Sequence, residues 1–329
     1  MKRRTFLSVG ASLVMLSMLN LRHGFGSPQP KVGMVYDPLF SEDWRMPDHP
    51  ESPMRYQSVI NSFEQNGILR QTSKIELLDE VEASLLTVHN KKHIDTIRKF
   101  YVYAHDIALA AVGAGLAAVD AVCSGTHNSV FCAIRPPGHH ALNTGREEGF
   151  CFYNNIAIAA RYAQNKYKRE KVLIIDWDYH HGNGTEAAFY DDPSVLFFST
   201  HDYRAYPGTG NPARIGADKG KGYNINVHLD CGANDKDIVG VFNDILLPAA
   251  HRFKPDLILI SAGFDSRKDD LLGCFDITDD GFAQLTHIVR NLADEYCDGC
   301  MVSLLEGGYS LSGLASATVA HLKAMLQMS

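Results

Sequence analysis

The run Val172-Leu-Ile-Ile-Asp-Trp-Asp-Tyr-His-His-Gly-Asn-Gly184 decides how this chain folds. Its apolar start reads as a buried strand, and the glycines that follow mark an abrupt exit. Side chains of an extended segment alternate faces, so Asp176, Asp178 and His180 project to one side. Two carboxylates and an imidazole at the carboxyl end of a buried strand repel one another and resist dehydration unless a cation holds them. Such ligands suit a hard-to-borderline divalent metal, with zinc the first candidate. The competing reading is a solvated strand end with a chance acidic pair.

Three further segments are built the same way. Val130-Phe-Cys-Ala-Ile134 runs into Arg135-Pro-Pro-Gly-His-His140, the run 257–260 into Ser261-Ala-Gly-Phe-Asp265, and the run 301–305 into Glu306-Gly-Gly-Tyr309. Open parallel α/β sheets bind ligands just beyond the carboxyl ends of their strands, so the four segments describe one composite site. Residues 32–36, 195–200 and 223–228 also read as strands. Residues 54–67, 82–103, 107–122, 154–166, 184–190, 235–252 and 279–296 read as helices. Alternation with long crossovers predicts an α/β fold: a single-domain open parallel sheet covered by helices on both faces. Gly113-x-Gly115 lacks the rest of a dinucleotide fingerprint and reads as close helix packing.

With 329 residues, 45% hydrophobic and 21% charged, the chain can bury one large core. No linker, repeat or low-complexity tract divides it. Residues 1–26 begin with Lys2, Arg3 and Arg4, continue apolar to Leu21 and leave through a polar, small-residue stretch, which is a signal-peptide pattern. Arg3-Arg4-Thr5-Phe6-Leu7 resembles a twin-arginine export address. The expectation is an exported protein, periplasmic or secreted, with residues 27–329 as the functional domain; an uncleaved anchor or a cytoplasmic extension is the alternative. No later segment is expected to span a membrane. Removing the leader leaves 27 basic against 38 acidic residues, a shift in net charge from −7 to −11. That acidity disfavours direct nucleic-acid binding and favours cationic substrates, although it also serves plain solubility. The seven cysteines form no zinc framework. Cys297-x-x-Cys300 is a lone pair that an oxidising compartment would let close; otherwise all seven read as ordinary thiols, several of them buried.

With these motifs in place, the chain resembles the zinc-dependent histone deacetylases of the arginase–deacetylase fold, and within them the class II enzymes and their bacterial relatives. The matching pieces run in family order: His49-Pro-Glu-Ser-Pro-Met-Arg55, Arg135-Pro-Pro-Gly-His-His-Ala141, Gly149-Phe-Cys-Phe-Tyr-Asn-Asn155, Asp176 to Thr185, Pro207-Gly-Thr-Gly210, Ser261 to Asp265 and Glu306 to Tyr309. The resemblance implies removal of acetyl or other acyl groups from lysine side chains of peptides or proteins. It makes Asp178, His180 and Asp265 the ligands of one zinc ion. His140 becomes the general base and then acid, with His139 its electrostatic partner; Asp176 holds His139, and Asn183 holds His140. A neutral Asn raises the pKa of His140 less than an Asp would. Tyr309 donates to the developing oxyanion, and Gly307 and Gly308 leave room for the acyl methyl. Gly149, Phe150 and Tyr206 line a tunnel for the lysine stem. The carbonyls of Asp176, Asp178 and His180, with Ser199 and Thr200, match a monovalent-cation site, read as potassium.

The chain departs from the family at Tyr206, where Phe is usual, at Leu271, where Pro is usual, and in the short rim segment 101–106. Three rivals remain. A dinuclear manganese hydrolase of this fold needs Asp-x-His-x-Asp and a second Asp where Arg267 stands. An acetylpolyamine amidohydrolase carries an acidic gatekeeper at the position of Leu272, although the acidic body suits an acetylated polyamine. A non-catalytic acyl-lysine binding protein would have lost a ligand or the tyrosine, and all are present.

Overall fold

The computed structural model describes residues 32–328, so the leader reading at 1–26 lies outside the described residues. Eight parallel strands form one sheet in the order β2-β1-β3-β8-β7-β4-β5-β6. In chain order they are β1 (Val32–Val35), β2 (Ser73–Ile75), β3 (Ser129–Cys132), β4 (Val172–Asp176), β5 (Val195–His201), β6 (Asn224–His228), β7 (Leu257–Ala262) and β8 (Met301–Leu305). The central strands β3, β8, β7 and β4 are buried along their whole length. That is why they read as continuous apolar runs rather than alternating ones.

The helices are α1 (Pro53–Gln65), α2 (Glu82–Leu85), α3 (Lys91–Phe100), α4 (Val102–Cys123), α5 (Asn155–Tyr167), α6 (Asn183–Phe189), α7 (Asp235–Val241), α8 (Leu247–Phe253), α9 (Asp279–Tyr296) and α10 (Leu311–Leu326). Strand β3 shows how both faces are covered. Phe131 packs edge-on against Phe63 of α1 and His321 of α10, while the Cys132 thiol reaches the Ala114 carbonyl of α4 on the other side. Gly113 and Gly115 serve helix packing, as their spacing suggests: a Cβ at the first would strike the Leu78 carbonyl, and one at the second would crowd Leu304.

Four expectations need correction. The segment 82–103 is three helices rather than one, because Asn90 caps α3 by accepting from the His93 N–H and Tyr101 starts α4 afresh. The segment 235–252 is interrupted at Phe242–Leu246 by a π-helical turn just before Pro248, whose missing N–H and ring forbid a regular ladder there. Helix α4, 22 residues long, is long and apolar enough to cross a membrane, although only the leader was expected to be. It is the core helix of the sheet, packed on β1, β3 and β8. Finally, the disulfide joins Cys231 to Cys274, with their Cα atoms 5.1 Å apart, while Cys297 and Cys300 are free and buried. The bonded pair lies 43 residues apart, beyond any spacing motif.

Candidate active site

The sheet order places β3, β8, β7 and β4 side by side, so the four reactive loops emerge as neighbours along one edge. Asp178, His180 and Asp265 converge there, with their ligand atoms all within 4.8 Å of one another. His180 Nδ1 lies 3.2 Å from Asp178 Oδ1 and 3.0 Å from Asp265 Oδ2. Two ligands each about 2.0–2.1 Å from one tetrahedral ion stand about 3.4 Å apart, so the spacing fits a single cation. Backbone donors orient both carboxylates: the Gly307 N–H donates to Asp178 Oδ2 at 2.9 Å and the Tyr179 N–H to Asp265 Oδ1 at 2.8 Å.

The electrostatics fit the same purpose. Burial and the nearby Asp178 charge push the Asp265 carboxyl up to about 7. Burial would lower His180, but Asp178 and Asp265 raise it to about 10. The two carboxylates therefore draw positive charge to themselves, as a proton on His180, and a divalent cation would take that proton's place. Among the described residues this is the one group of three ligand-type side chains that converges in this way. Arg267, at the position a second metal would need filled by Asp, is ion-paired to Asp279 at 2.7 Å.

The two histidines of the β3 loop sit beside the trio with ring centroids 4.0 Å apart. His139 Nδ1 is 3.0 Å from Asp176 Oδ2, and His140 Nδ1 is 2.8 Å from Asn183 Oδ1. Each Nδ1–H therefore donates to its oxygen partner, which leaves Nε2 of each ring to face the site. Burial lowers His139, yet Asp178, Asp176 and Glu306 outweigh it and raise the imidazole well above its ordinary value. His140 moves the opposite way, driven down by burial and then by His139 and His180. One ring is thus held charged and its neighbour neutral.

Tyr309 is buried, with the Arg55 guanidinium 5.0 Å from its ring centroid and Phe150 edge-on at 5.8 Å. Burial raises its hydroxyl well above the ordinary range, so it stays a proton donor. Gly307 and Gly308 also answer to the fold itself. A Cβ on Gly307 would run into the Asp265 and Asp178 carboxylates, and Gly308 has φ +121°, a conformation that glycine adopts readily. A cavity of about 690 Å³ leads to the site, lined by His140, Phe150, His180, Tyr206, Leu272 and Tyr309 among others. Gly149, with φ +51°, brings the backbone so close to His140 and Tyr206 that a side chain there would clash with both. A groove of equal volume between α1, α9 and α10 holds none of the expected site residues.

The residues expected to hold a monovalent cation also lie together, with Ser199 paired to Asp176 across β4 and β5. His201 Nε2 donates to the Gly210 carbonyl at 2.8 Å, so its Nδ1 accepts from the Ser199 hydroxyl at 2.8 Å. The Ser199 lone pairs are left free for a cation. The Thr200 hydroxyl is buried without a partner.

Two groups lie in motifs the sequence displayed but were given no role there. Glu306 is fully buried, and its Oε2 accepts from the N–H groups of Gly138 and His139 at 2.6 and 3.2 Å, fixing the histidine loop from below. Glu51, also fully buried, gathers Arg45, Arg55 and Arg135. Arg55 Nε then donates to the Gly308 carbonyl at 2.7 Å, and Arg45 Nη2 to the Phe150 carbonyl at 3.1 Å. The motif His49 to Arg55 signalled the Glu51–Arg55 part; Arg45 and Arg135 carried no sequence signal of a shared partner.

A parallel sheet of this order, with its reactive loops on one carboxyl edge, is the arginase–deacetylase fold. Residues 49–325 match the histone deacetylase domain, and the chain belongs to the histone deacetylase family. It is 38% identical over 309 residues to the chloroplastic histone deacetylase 14 of Arabidopsis thaliana, covering 84% of this chain and 73% of that one. A probable deacetylase of Archaeoglobus fulgidus is 36% identical, with 85% and 82% covered. The crystal structure of the HDA15 HD domain superimposes with a TM-score of 0.86 at 32% identity, over 92% of this chain and 90% of that one. Family membership makes the protein a deacetylase hydrolase.

Proposed function

We propose that the protein hydrolyses acyl-lysine amides in peptides or proteins, using one zinc ion held by Asp178, His180 and Asp265. The observation that carries this reading is their convergence with His140 and Tyr309 at the floor of one aromatic-walled cavity. When bound, the ion would polarise the amide carbonyl and make water more acidic. The lysine stem lies between Phe150 and Tyr206, whose rings cover its apolar length. His140, neutral and held by Asn183, takes the proton of the attacking water on Nε2 and later gives it to the departing amine. His139, kept charged by Asp176, steadies the negative charge that develops beside it. The Tyr309 hydroxyl donates to the carbonyl oxygen as it gains charge, an interaction worth about 10²–10³ in rate. Ser199, Thr200 and the carbonyls of Asp176, Asp178 and His180 form the proposed potassium site.

The carboxylate that lines the cavity, Glu147, favours acyl-lysine over acetylated polyamines because it is already paired with Arg45. Leu272 at the rim offers no charge for a second ammonium. Intact machinery, Tyr309 included, favours an enzyme over a mere binder. The basic, apolar leader supports export as a folded protein. The test is a comparison of kcat/KM on acetyl-lysine peptides and on acetylated polyamines. Preference for the peptides is expected; activity on polyamines alone overturns the substrate reading.

A further inference from the structure

We infer that Asp270 is a positioning residue for Tyr309, acting from outside the reacting centre and setting the cavity rim with the same carboxylate. The inference rests on the proposed role of Tyr309. Its observation is separate: Asp270 Oδ2 accepts from the Tyr309 N–H at 2.7 Å and from the Ser310 N–H at 2.9 Å, while Oδ1 accepts from the Leu272 N–H at 2.9 Å.

These contacts matter because of where Tyr309 lies in the chain. It follows Gly308, whose φ of +121° imposes little restraint, and it precedes α10, for which Ser310 is the N-cap. Tyr309 belongs to neither β8 nor α10, so no strand ladder or helix turn fixes its backbone. The ring packs on Arg55 and Phe150, and Arg55 Nε holds the carbonyl side of the Gly308–Tyr309 peptide. Asp270 holds the N–H side of that peptide with a charged acceptor, whose bonds are about twice as strong as neutral ones. The position just ahead of a 16-residue helix adds the favourable pole of its dipole.

The loop that carries Asp270 is anchored independently. Lys268 N–H donates to the Ile277 carbonyl at 2.9 Å, Arg267 pairs with Asp279, and Gly232 N–H donates to the Cys274 carbonyl at 2.7 Å. The Cys231–Cys274 bond ties the far end of the loop to the segment after β6. Asp270 thus transmits the position of a braced loop to Tyr309. The same loop begins at the ligand Asp265 and presents Leu272 to the cavity, so ligand, rim and hydroxyl donor share one support.

The test compares the parent with Asp270→Ala, Asp270→Asn, Tyr309→Phe and the Asp270→Ala/Tyr309→Phe double variant. Each is assayed for kcat and KM on an acetyl-lysine peptide, for bound metal and for melting temperature. Misplacement by about 1 Å costs on the order of 10²-fold, so Asp270→Ala should lower kcat about 10- to 100-fold with the metal retained. Asp270→Asn keeps an oxygen acceptor for the Tyr309 N–H and should recover most of the loss, which also serves should the alanine variant fail to fold. In the Tyr309→Phe background Asp270→Ala should cost nothing further in kcat, since there is no hydroxyl left to misplace. The inference is overturned by an Asp270→Ala protein with parental kcat, by an Asp270→Asn protein no better than the alanine, or by losses that multiply in the double variant. A fully active Tyr309→Phe protein overturns instead the role of Tyr309, and with it the basis of the inference.

Discussion

Glu51→Gln removes one charge while keeping the shape of a side chain that has no solvent exposure. Burial alone would raise this carboxyl, but the guanidinium groups of Arg135, Arg55 and Arg45 outweigh it and hold it at about 2, against an ordinary 4.5. At 1.36 kcal/mol per pKa unit, that difference is about 3 kcal/mol of folding stability. Breaking a buried pair from one side costs a similar 3–5 kcal/mol, roughly, because the arginines stay buried without their anion. The sign follows from the depressed folded-state value. The contribution is complete above about pH 4.5, where Glu51 is ionised in both states, and it is lost as pH falls through about 2. Urea unfolding of parent and variant should therefore differ by about 3 kcal/mol at pH 7, and the gap should narrow as pH is taken from 5 towards 2. A difference under about 1 kcal/mol at pH 7, or one that stays constant over that range, would refute the claim that this carboxylate organises the three arginines.

Two further outcomes are expected. The Cys231–Cys274 bond closes a 43-residue separation, which chain-entropy reasoning values at up to about 4 kcal/mol; dithiothreitol or Cys231→Ser should lower the melting temperature, and an unchanged value in both would contradict the pairing. Changing Arg3 and Arg4 together to Lys should leave the protein unprocessed in the cytoplasm, as cell fractionation would show; unaltered location of a chain still starting at Met1 would reduce the leader to an extension.

The strands that carry chemistry were legible because parallel strands buried on both faces must be apolar throughout, and each ends where polar residues begin. That rule found β3, β4, β7 and β8 to within a few residues. It missed β2, since Ser73-Lys74-Ile75 is a short edge strand with two exposed residues and no apolar run. It also passed over α10, where Ala, Ser and Thr blur the apolar stripe. Asp178, His180 and Asp265 were visible as a pattern because two lie on one strand end and the third follows another. Asp270 was not, because its partners lie 39 and 40 residues away and are backbone N–H groups, which no side-chain motif records. The pairing of Arg45 and Arg135 with Glu51 was invisible for a related reason: only the folded chain brings the three together.

Bound metal, measured by elemental analysis on protein purified without added metal, and read beside acetyl-lysine hydrolysis, tests the central claim most directly. One equivalent of zinc per chain is expected, with Asp265→Ala losing both the metal and the activity and chelation abolishing activity until zinc is restored. Full hydrolysis by chelated, metal-free protein, or activity only with two equivalents of manganese, would contradict the assignment of Asp178, His180 and Asp265 as the ligands of a single catalytic ion.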